Sequence, residues 1–164
     1  DRCYNRRMFR VGIGYDLHRL EKNHRLIIGG VEIESDIGAY SHSDGDCLLH
    51  ALVDAMLGAA GLGDIGEYFP DTDEKYKNVK SSSFVIKTLD LIKKNGFKII
   101  NVDATVLLEK PKLASYKQSI KKNVANLLNL DERFVNIKAK TNEKVDEVGR
   151  GLAIASYVVV LLEY

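Results

Sequence analysis

Between residues 47 and 57 the chain is apolar at every position except His50 and Asp54. A surface helix carries a wide polar face, so a segment this apolar predicts a helix buried nearly all round. The helix is expected over residues 46 to 60, with Asp46 suited to its start and Gly61 to its end. Asp46, His50 and Asp54 recur at i, i+4 and i+8, drifting only roughly 80° around the axis. A narrow polar stripe on a buried helix must face something specific, because a buried histidine or aspartate needs a partner or a metal.

The flanking pattern supplies the other elements. "MFRVGIGYDLH" and "RLIIGGVEI" read as strands, rich in β-branched and apolar residues and punctuated by glycine. "GLGDIGEYFPDTD" carries too much glycine and acid for regular structure and reads as a loop. "SSSFVIKTLDLIKKNG" places Phe84, Val85, Thr88, Leu89 and Ile92 at helical spacing, with serines at its start and Gly96 at its end. "FKIINVDATVLLE" is a long strand, followed by a helix begun near Pro111 with Leu113, Tyr116, Ile120, Val124 and Leu127 on one face. "RFVNIKAK" and "LAIASYVVVLLEY" are the last strands, joined by the loop "TNEKVDEVGRG". The order ββααβαββ predicts a single α+β domain, a mixed sheet with helices packed on one side. The last strand is apolar on both faces, more than three helices can cover, so a subunit interface is expected.

Composition narrows the classes. The 24 basic and 23 acidic residues nearly cancel, so bulk charge implies neither a nucleic-acid partner nor an anionic membrane surface. No apolar run approaches the roughly 20 residues that a membrane span needs. Cys3 and Cys47 form no CxxC pair and give no disulfide framework, which fits a reducing compartment. Residues 1–8 read as an N-terminal extension ahead of a domain at 9–164. The four arginines of "DRCYNRRMFR" fit either the remnant of a targeting segment or a simple boundary.

Candidate chemistry gathers around "YDLH" and "SHSDGDCLLH". Asp16 and His18 lie two apart on a strand and therefore share a face. With His50 they would supply three nitrogen and oxygen ligands of an open tetrahedral zinc-type site. Asp46 would cap the helix or accept the other N–H of His50. A hydrogen-bonded core histidine is the simpler alternative, and "DGD" lacks the glutamate a calcium loop needs at its twelfth position. Asp64, Asp71 and Asp73 fit either solvated turns or carboxylates placed for sugar or polyol hydroxyls. Lys110 and Lys112, around Pro111, stand at a strand-to-helix turn whose free N–H groups suit an anion or a nucleobase edge. Thr141 offers a hydroxyl and Glu143 an oxygen ligand for a hard cation.

Taken together, "RVGIGYDLHRL", "LIIGGVEI", "HSDGDCLLHALVDAMLGAAGLGDIGEYFPDTD", "NVDATVLLEKPKL", "VNIKAKTNEK" and "GRG" closely resemble the 2-C-methyl-D-erythritol 2,4-cyclodiphosphate synthase family, over essentially the whole chain from Arg10. The resemblance implies a phosphorus–oxygen lyase of non-mevalonate isoprenoid biosynthesis. It also implies a homotrimer built around packed sheets, with active sites between subunits. The implied substrate is 4-diphosphocytidyl-2-C-methyl-D-erythritol 2-phosphate, a small cytidine diphosphate. Its 2-phosphate attacks the β-phosphorus, releasing CMP. Asp16, His18 and His50 are then the ligands of one Zn²⁺ per subunit. Glu143 is a ligand of a second cation, Mg²⁺ or Mn²⁺, on the diphosphate. His42 and Thr141 correspond to the residues that steady the transition state.

The resemblance extends to substrate contacts. Ser43 is placed for phosphate, with Asp16 and His18 close to the 2-phosphate. Asp64, Ile65 and Gly66 match ribose or polyol contacts, and Phe69, Pro70, Asp71, Thr72 and Asp73 a substrate loop. Leu108, Glu109, Lys110, Pro111, Lys112, Leu113 and Ala114 match a cytosine pocket built largely from backbone groups. Lys140, Asn142 and Glu143 flank Thr141 beside the diphosphate. Arg150 belongs, in the family, to a cavity on the threefold axis that can hold a prenyl diphosphate. Here Val145, Asp146, Glu147, Val148 and Leu152 depart from the common pattern, and two acids beside Arg150 oppose a diphosphate. If the source is eukaryotic, a plastid-type organelle is the implied location, otherwise the cytoplasm. Two rivals use the same residues: a zinc phosphohydrolase in which water attacks, and a trimeric nucleotide-binding sensor without turnover.

Overall fold

The computed structural model describes residues 7–164, so most of the expected N-terminal extension, with Cys3, lies outside the described residues. The chain opens with strand β1 (Phe9–Lys22), longer than expected. The segment "LIIGGVEI", expected as one strand, is a hairpin of β2 (Leu26–Ile28) and β3 (Val31–Ile33). Gly29 and Gly30 form its turn at φ 59° and 76°, a left-handed pair that matches the twist of a tight hairpin. Strand β4 (Ile37–Ala39), helix α1 (Cys47–Ala60), short helix α2 (Ile65–Tyr68) and helix α3 (Ser81–Lys94) follow. The acidic loop is thus partly regular, since α2 forms within it, and a 3-10 turn at Glu74–Tyr76 follows. Strand β5 (Lys98–Leu107), helix α4 (Lys117–Leu128), strand β6 (Val135–Lys140), short helix α5 (Asp146–Gly149) and strand β7 (Ala153–Glu163) complete the chain.

Helix α4 begins at Lys117, six residues beyond Pro111 rather than beside it. Leu113 and Tyr116 belong to the turn that leads in, where Leu113 is still buried. Arg133 and Phe134, expected in β6, form a 3-10 turn ahead of it. Helix α3 starts without a side-chain cap; the Ser83 hydroxyl donates to the Lys80 carbonyl instead.

The five-stranded sheet runs β4-β1-β7-β5-β6. It is mixed: β5 and β6 are parallel, and the other neighbours are antiparallel. Helix α1 packs on β1 and β7, α3 on α1, and α4 on β6, so the helices cover one face of a single α+β domain. Leu48, Leu49, Leu52, Met56 and Leu57 of α1 are fully buried. Each contributes about 1.5–3 kcal/mol by leaving water.

Side chains alternate along β1. Gly12, Gly14, Asp16 and His18 face the helices, while Phe9, Val11, Ile13, Tyr15 and Leu17 point to the opposite, uncovered face and are exposed. The expectation that β7 needs cover on both faces has its counterpart there: Tyr157 and Val159 are exposed beside them, and the Tyr15 and Tyr157 rings lie 4.8 Å apart. Among the described residues, no helix is long and apolar enough to cross a membrane.

Candidate active site

The position of α1 on the sheet is set by β1's missing side chains. A Cβ on Gly14 would stand 1.7 Å from the Ala51 carbonyl oxygen, and one on Gly12 2.0 Å from that of Ala55. The helix backbone therefore rests directly on the strand. Two residues further along β1 from Gly14, the Cys47 thiol donates to the Asp16 carbonyl at 3.1 Å. Burial pushes that thiol well above its ordinary range, which leaves it a packing group rather than a nucleophile.

Asp46 caps α1 and does more. One carboxylate oxygen accepts the Leu49 and Gly29 N–H groups at 3.0 and 2.9 Å, the other the Gly30 N–H at 2.6 Å. It thereby ties the hairpin turn to the helix start, which is where His50 sits. Burial outweighs these three bonds and raises its carboxyl to about 6. Of its two expected roles the structure gives Asp46 the cap; His50 finds other partners. Asp54, at the far end of the stripe, accepts the Ile65 N–H at 2.7 Å and so anchors α2.

Asp16 and His18 from β1 meet His50 from the first turn of α1. Asp16 Oδ2 lies 2.8 Å from His18 Nε2 and 3.2 Å from His50 Nδ1, and the two nitrogens are 3.1 Å apart. Ligands of a tetrahedral zinc ion, at about 2.0–2.1 Å from the metal, stand about 3.3 Å from one another. The three donors already describe a slightly contracted version of that triangle. Asp16 Oδ2 is also buried without a hydrogen-bond partner, so its close approaches to the rings lack hydrogen-bond geometry. A buried carboxylate oxygen left this way is costly, and a cation between the three donors would satisfy it. The residues fit a metal ion.

Electrostatics agree. Burial acts to raise the Asp16 carboxyl, but His18 and His50 outweigh it and hold it far below the carboxylate range. Burial acts to lower His50, but the Asp16 carboxylate outweighs that and moves it upward. On its other side, His50 Nε2 lies 2.8 Å from Ser81 Oγ and 3.1 Å from Ser43 Oγ.

His18, His50 and Ser43 open onto a cavity of about 790 Å³, within the range of small-molecule sites, while Asp16 does not line it. Of the residues singled out in the sequence, His18, His42, Ser43, His50, Ile65, Gly66, Phe69, Pro70 and Asp71 line it. His42 Nε2 lies 3.2 Å from the Asp73 carbonyl, which can only accept, so that nitrogen carries the hydrogen. Asp64 turns to cap α2 through the Glu67 N–H, and Asp73 bonds Lys75, so neither carboxylate lines the cavity. Thr72 is exposed outside it.

The remaining expected residues form a second group. Because β5 and β6 are parallel, the segments after them lie side by side. The Leu108 N–H donates to the Lys140 carbonyl at 2.9 Å, the Asn142 N–H to Glu109 at 3.1 Å, and the Thr141 hydroxyl to Glu143 at 3.3 Å. Lys110, Lys112, Ala114, Glu143 and Arg150 are exposed, and Leu108 and Leu113 are buried in the core. None of Leu108–Ala114, Lys140–Glu143 or Arg150 lines the cavity of the described chain. Arg150 is taken by Glu147 through an ion pair and by the Asp146 carbonyl at 3.3 Å.

Sequence reasoning passed over Tyr40, Ser41, Tyr76, Lys77, Asn78 and Phe84, which line the same cavity. Phe69 stacks on Phe84 with centroids 4.6 Å apart, and Tyr76 meets both edge-on, forming an aromatic wall. Phe84 read only as a core position of its helix. The left-handed Asn78, whose N–H donates to the His42 carbonyl, was the available signal for a turn under His42.

Comparison with known proteins agrees with this geometry. The chain matches the YgbB family over residues 9–163. It is 52% identical over 154 residues to the chloroplastic 2-C-methyl-D-erythritol 2,4-cyclodiphosphate synthase of Catharanthus roseus, covering 94% of this chain but 65% of that protein. The bifunctional IspDF from Campylobacter jejuni superposes with a TM-score of 0.94 at 43% identity, over 97% of this chain and 43% of that one. A 2C-methyl-D-erythritol-2,4-cyclodiphosphate synthase solved in its CDP-bound form superposes with a TM-score of 0.87 at 36% identity, over 93% of this chain and 99% of that one. With fold, donor triangle and matched length in agreement, the chain belongs to the YgbB family, the 2-C-methyl-D-erythritol 2,4-cyclodiphosphate synthases.

Proposed function

We propose that the protein converts 4-diphosphocytidyl-2-C-methyl-D-erythritol 2-phosphate to 2-C-methyl-D-erythritol 2,4-cyclodiphosphate with release of CMP. An oxygen of the substrate's 2-phosphate forms a bond to the β-phosphorus, the bond from that phosphorus to the bridging oxygen breaks, and the bridging oxygen leaves on CMP. The observation that carries this reading is the triangle of Asp16 Oδ2, His18 Nε2 and His50 Nδ1, whose two histidines line the cavity of about 790 Å³.

Intramolecular phosphoryl transfer needs its two phosphates held in line and their crowded charge neutralised more than it needs acid–base chemistry. Asp16, His18 and His50 would hold a Zn²⁺, and Glu143 would contribute to a Mg²⁺ or Mn²⁺ site. Such cations, when bound, supply positive charge against the phosphate oxygens. His42, oriented by the Asp73 carbonyl that takes its Nε2–H, leaves Nδ1 as an acceptor, and the Ser43 hydroxyl stands beside it at the cavity wall. The Phe69–Phe84 stack and Tyr76 exclude water from one side.

The same reading includes a homotrimer with sites between subunits. Phe9, Val11 and Ile13 are 55%, 69% and 68% exposed on one apolar sheet face, more than an isolated chain ordinarily leaves to water. Within one chain the Leu108–Ala114 and Lys140–Glu143 group stands outside the cavity, so a neighbour would bring its Thr141, Glu143 and cytosine-binding turn to it. The relative solved with CDP supports a cytidine diphosphate ligand.

The test is product identity. The protein is incubated with the substrate, Zn²⁺ and Mg²⁺, and followed by phosphorus NMR. Cyclic diphosphate and CMP appearing together are expected. CMP with a linear bisphosphate would replace the cyclase with a hydrolase, and substrate left intact would remove catalysis altogether.

A further inference from the structure

The loop before α1 and the first residue of α3 are joined by a set of bonds that the reaction itself does not explain. Ser81, fully buried at the start of α3, offers its hydroxyl to Asp44 and its backbone N–H to the other oxygen of the same carboxylate at 3.0 Å. The oxygen that takes the Ser81 hydroxyl also accepts the Asp46 N–H at 3.2 Å, and the Asp44 N–H donates to the Val79 carbonyl at 3.2 Å. Asp44 is therefore fixed by four bonds. Beyond it, Ser81 Oγ lies 2.8 Å from His50 Nε2.

The direction of these bonds follows from what each group can do. A carboxylate only accepts, so the one proton on Ser81 Oγ points to Asp44. Ser81 can then only accept from His50, and His50 Nε2 must carry a hydrogen. In a neutral imidazole the other nitrogen is then bare, and Nδ1 is the atom that faces Asp16 Oδ2 and His18 Nε2. Ser43 Oγ, also near Nε2 but at 3.1 Å, lines the cavity and accepts the Gly45 N–H at 3.3 Å. With the shorter bond going to Ser81, the Ser43 hydroxyl is left to the Ser41 hydroxyl, 3.3 Å away, or to a ligand.

We propose that Ser81 and Asp44 are positioning residues that lock His50 in the Nε2–H tautomer and aim its bare Nδ1 at the metal. The proposal rests on the metal reading of Asp16, His18 and His50, but the tautomer is readable without metal. Outer partners of this kind orient a ligating ring and fix which nitrogen is free. The arrangement also ties the geometry of the centre to the N-terminal end of α3, an element that contributes no ligand.

The experiment compares the full-length wild type with Ser81→Ala, which keeps the backbone N–H bond to Asp44. Long-range proton–nitrogen NMR at mildly alkaline pH reads the tautomer of His50 in metal-free protein, and chelator competition reads zinc affinity. The wild type should show a single Nε2–H tautomer. Ser81→Ala should show a mixture and bind zinc about 10–100-fold more weakly, with Ser81→Thr restoring the single tautomer. Asp44→Asn, which keeps size but sets an amide against either the Ser81 hydroxyl or its N–H, should also loosen the tautomer and serves if Ser81→Ala does not fold. A wild type with hydrogen on Nδ1, or Ser81→Ala with one tautomer and unchanged zinc affinity, would overturn the proposal. A wild type that shows the Nε2–H tautomer but takes up no zinc would overturn the metal reading while the tautomer comparison still judges the relay.

Discussion

The Ala51 carbonyl oxygen occupies the space in which Gly14 would carry a side chain, 1.7 Å from the position of its absent Cβ. That contact sets the separation between β1, which carries Asp16 and His18, and α1, which carries His50. Gly14→Ala would force the helix off the strand. We expect it to cost about 3 kcal/mol or more in stability, at or above the upper end of overpacking effects. Zinc affinity should fall with it, because the three donors would separate. Urea unfolding and chelator competition measure the two; unchanged values would show that the backbone approach is slack.

Asp46 is the second support. Replacing it with alanine strips acceptors from three N–H groups and removes the α1 cap, for an expected loss of about 2–4 kcal/mol.

Asp46 also gives a pH dependence with a definite sign. Its folded-state carboxyl, at about 6, lies above its ordinary 3.8, so the native state holds the proton more tightly. The stability this contributes is fully present below pH 3.8 and is lost as pH rises through 6. Over that interval the wild type should lose about 3 kcal/mol relative to Asp46→Asn, whose side chain does not titrate. Denaturant melts of both proteins at pH 5 and pH 7.5 should capture about 1.4 kcal/mol of that loss, because at pH 5 the group is one unit below its folded value of about 6, and parallel pH profiles would refute the assignment.

The exposed face of the sheet yields a prediction about assembly. Ile13→Asp places a charge at the middle of the apolar row while leaving the helix face of β1 untouched. Light scattering should report a trimer for the wild type and a monomer for the variant, with activity lost on dissociation. A variant that stays trimeric would place the interface elsewhere.

Much of this was legible in the sequence because periodicity reports burial. The stripe of Asp46, His50 and Asp54 on an otherwise apolar helix announced both the depth of α1 and its one functional side. The two-residue spacing of Asp16 and His18 placed them on one face of β1, where the structure has them. What escaped was set by tertiary contacts. "LIIGGVEI" reads as a continuous strand until Asp46, sixteen residues on, grips the Gly30 N–H at its turn. Helix α4 starts late because the Lys110–Lys112 segment is a turn packed through Leu113, not a helix start. Ser81 looked like one of three serines at a helix start; only the approach of α3 to the Asp44 loop gives it a role. Phe69 and Phe84 come from separate segments, and no local pattern signals their stacking.

The proposed chemistry turns on one metal ion held by Asp16, His18 and His50. Diffraction data collected on either side of the zinc absorption edge from crystals grown with zinc test this most directly. One anomalous peak per chain is expected about 2.0–2.1 Å from Asp16 Oδ2, His18 Nε2 and His50 Nδ1, absent in His50→Ala. Full zinc occupancy elsewhere, or a peak that survives His50→Ala, would contradict it.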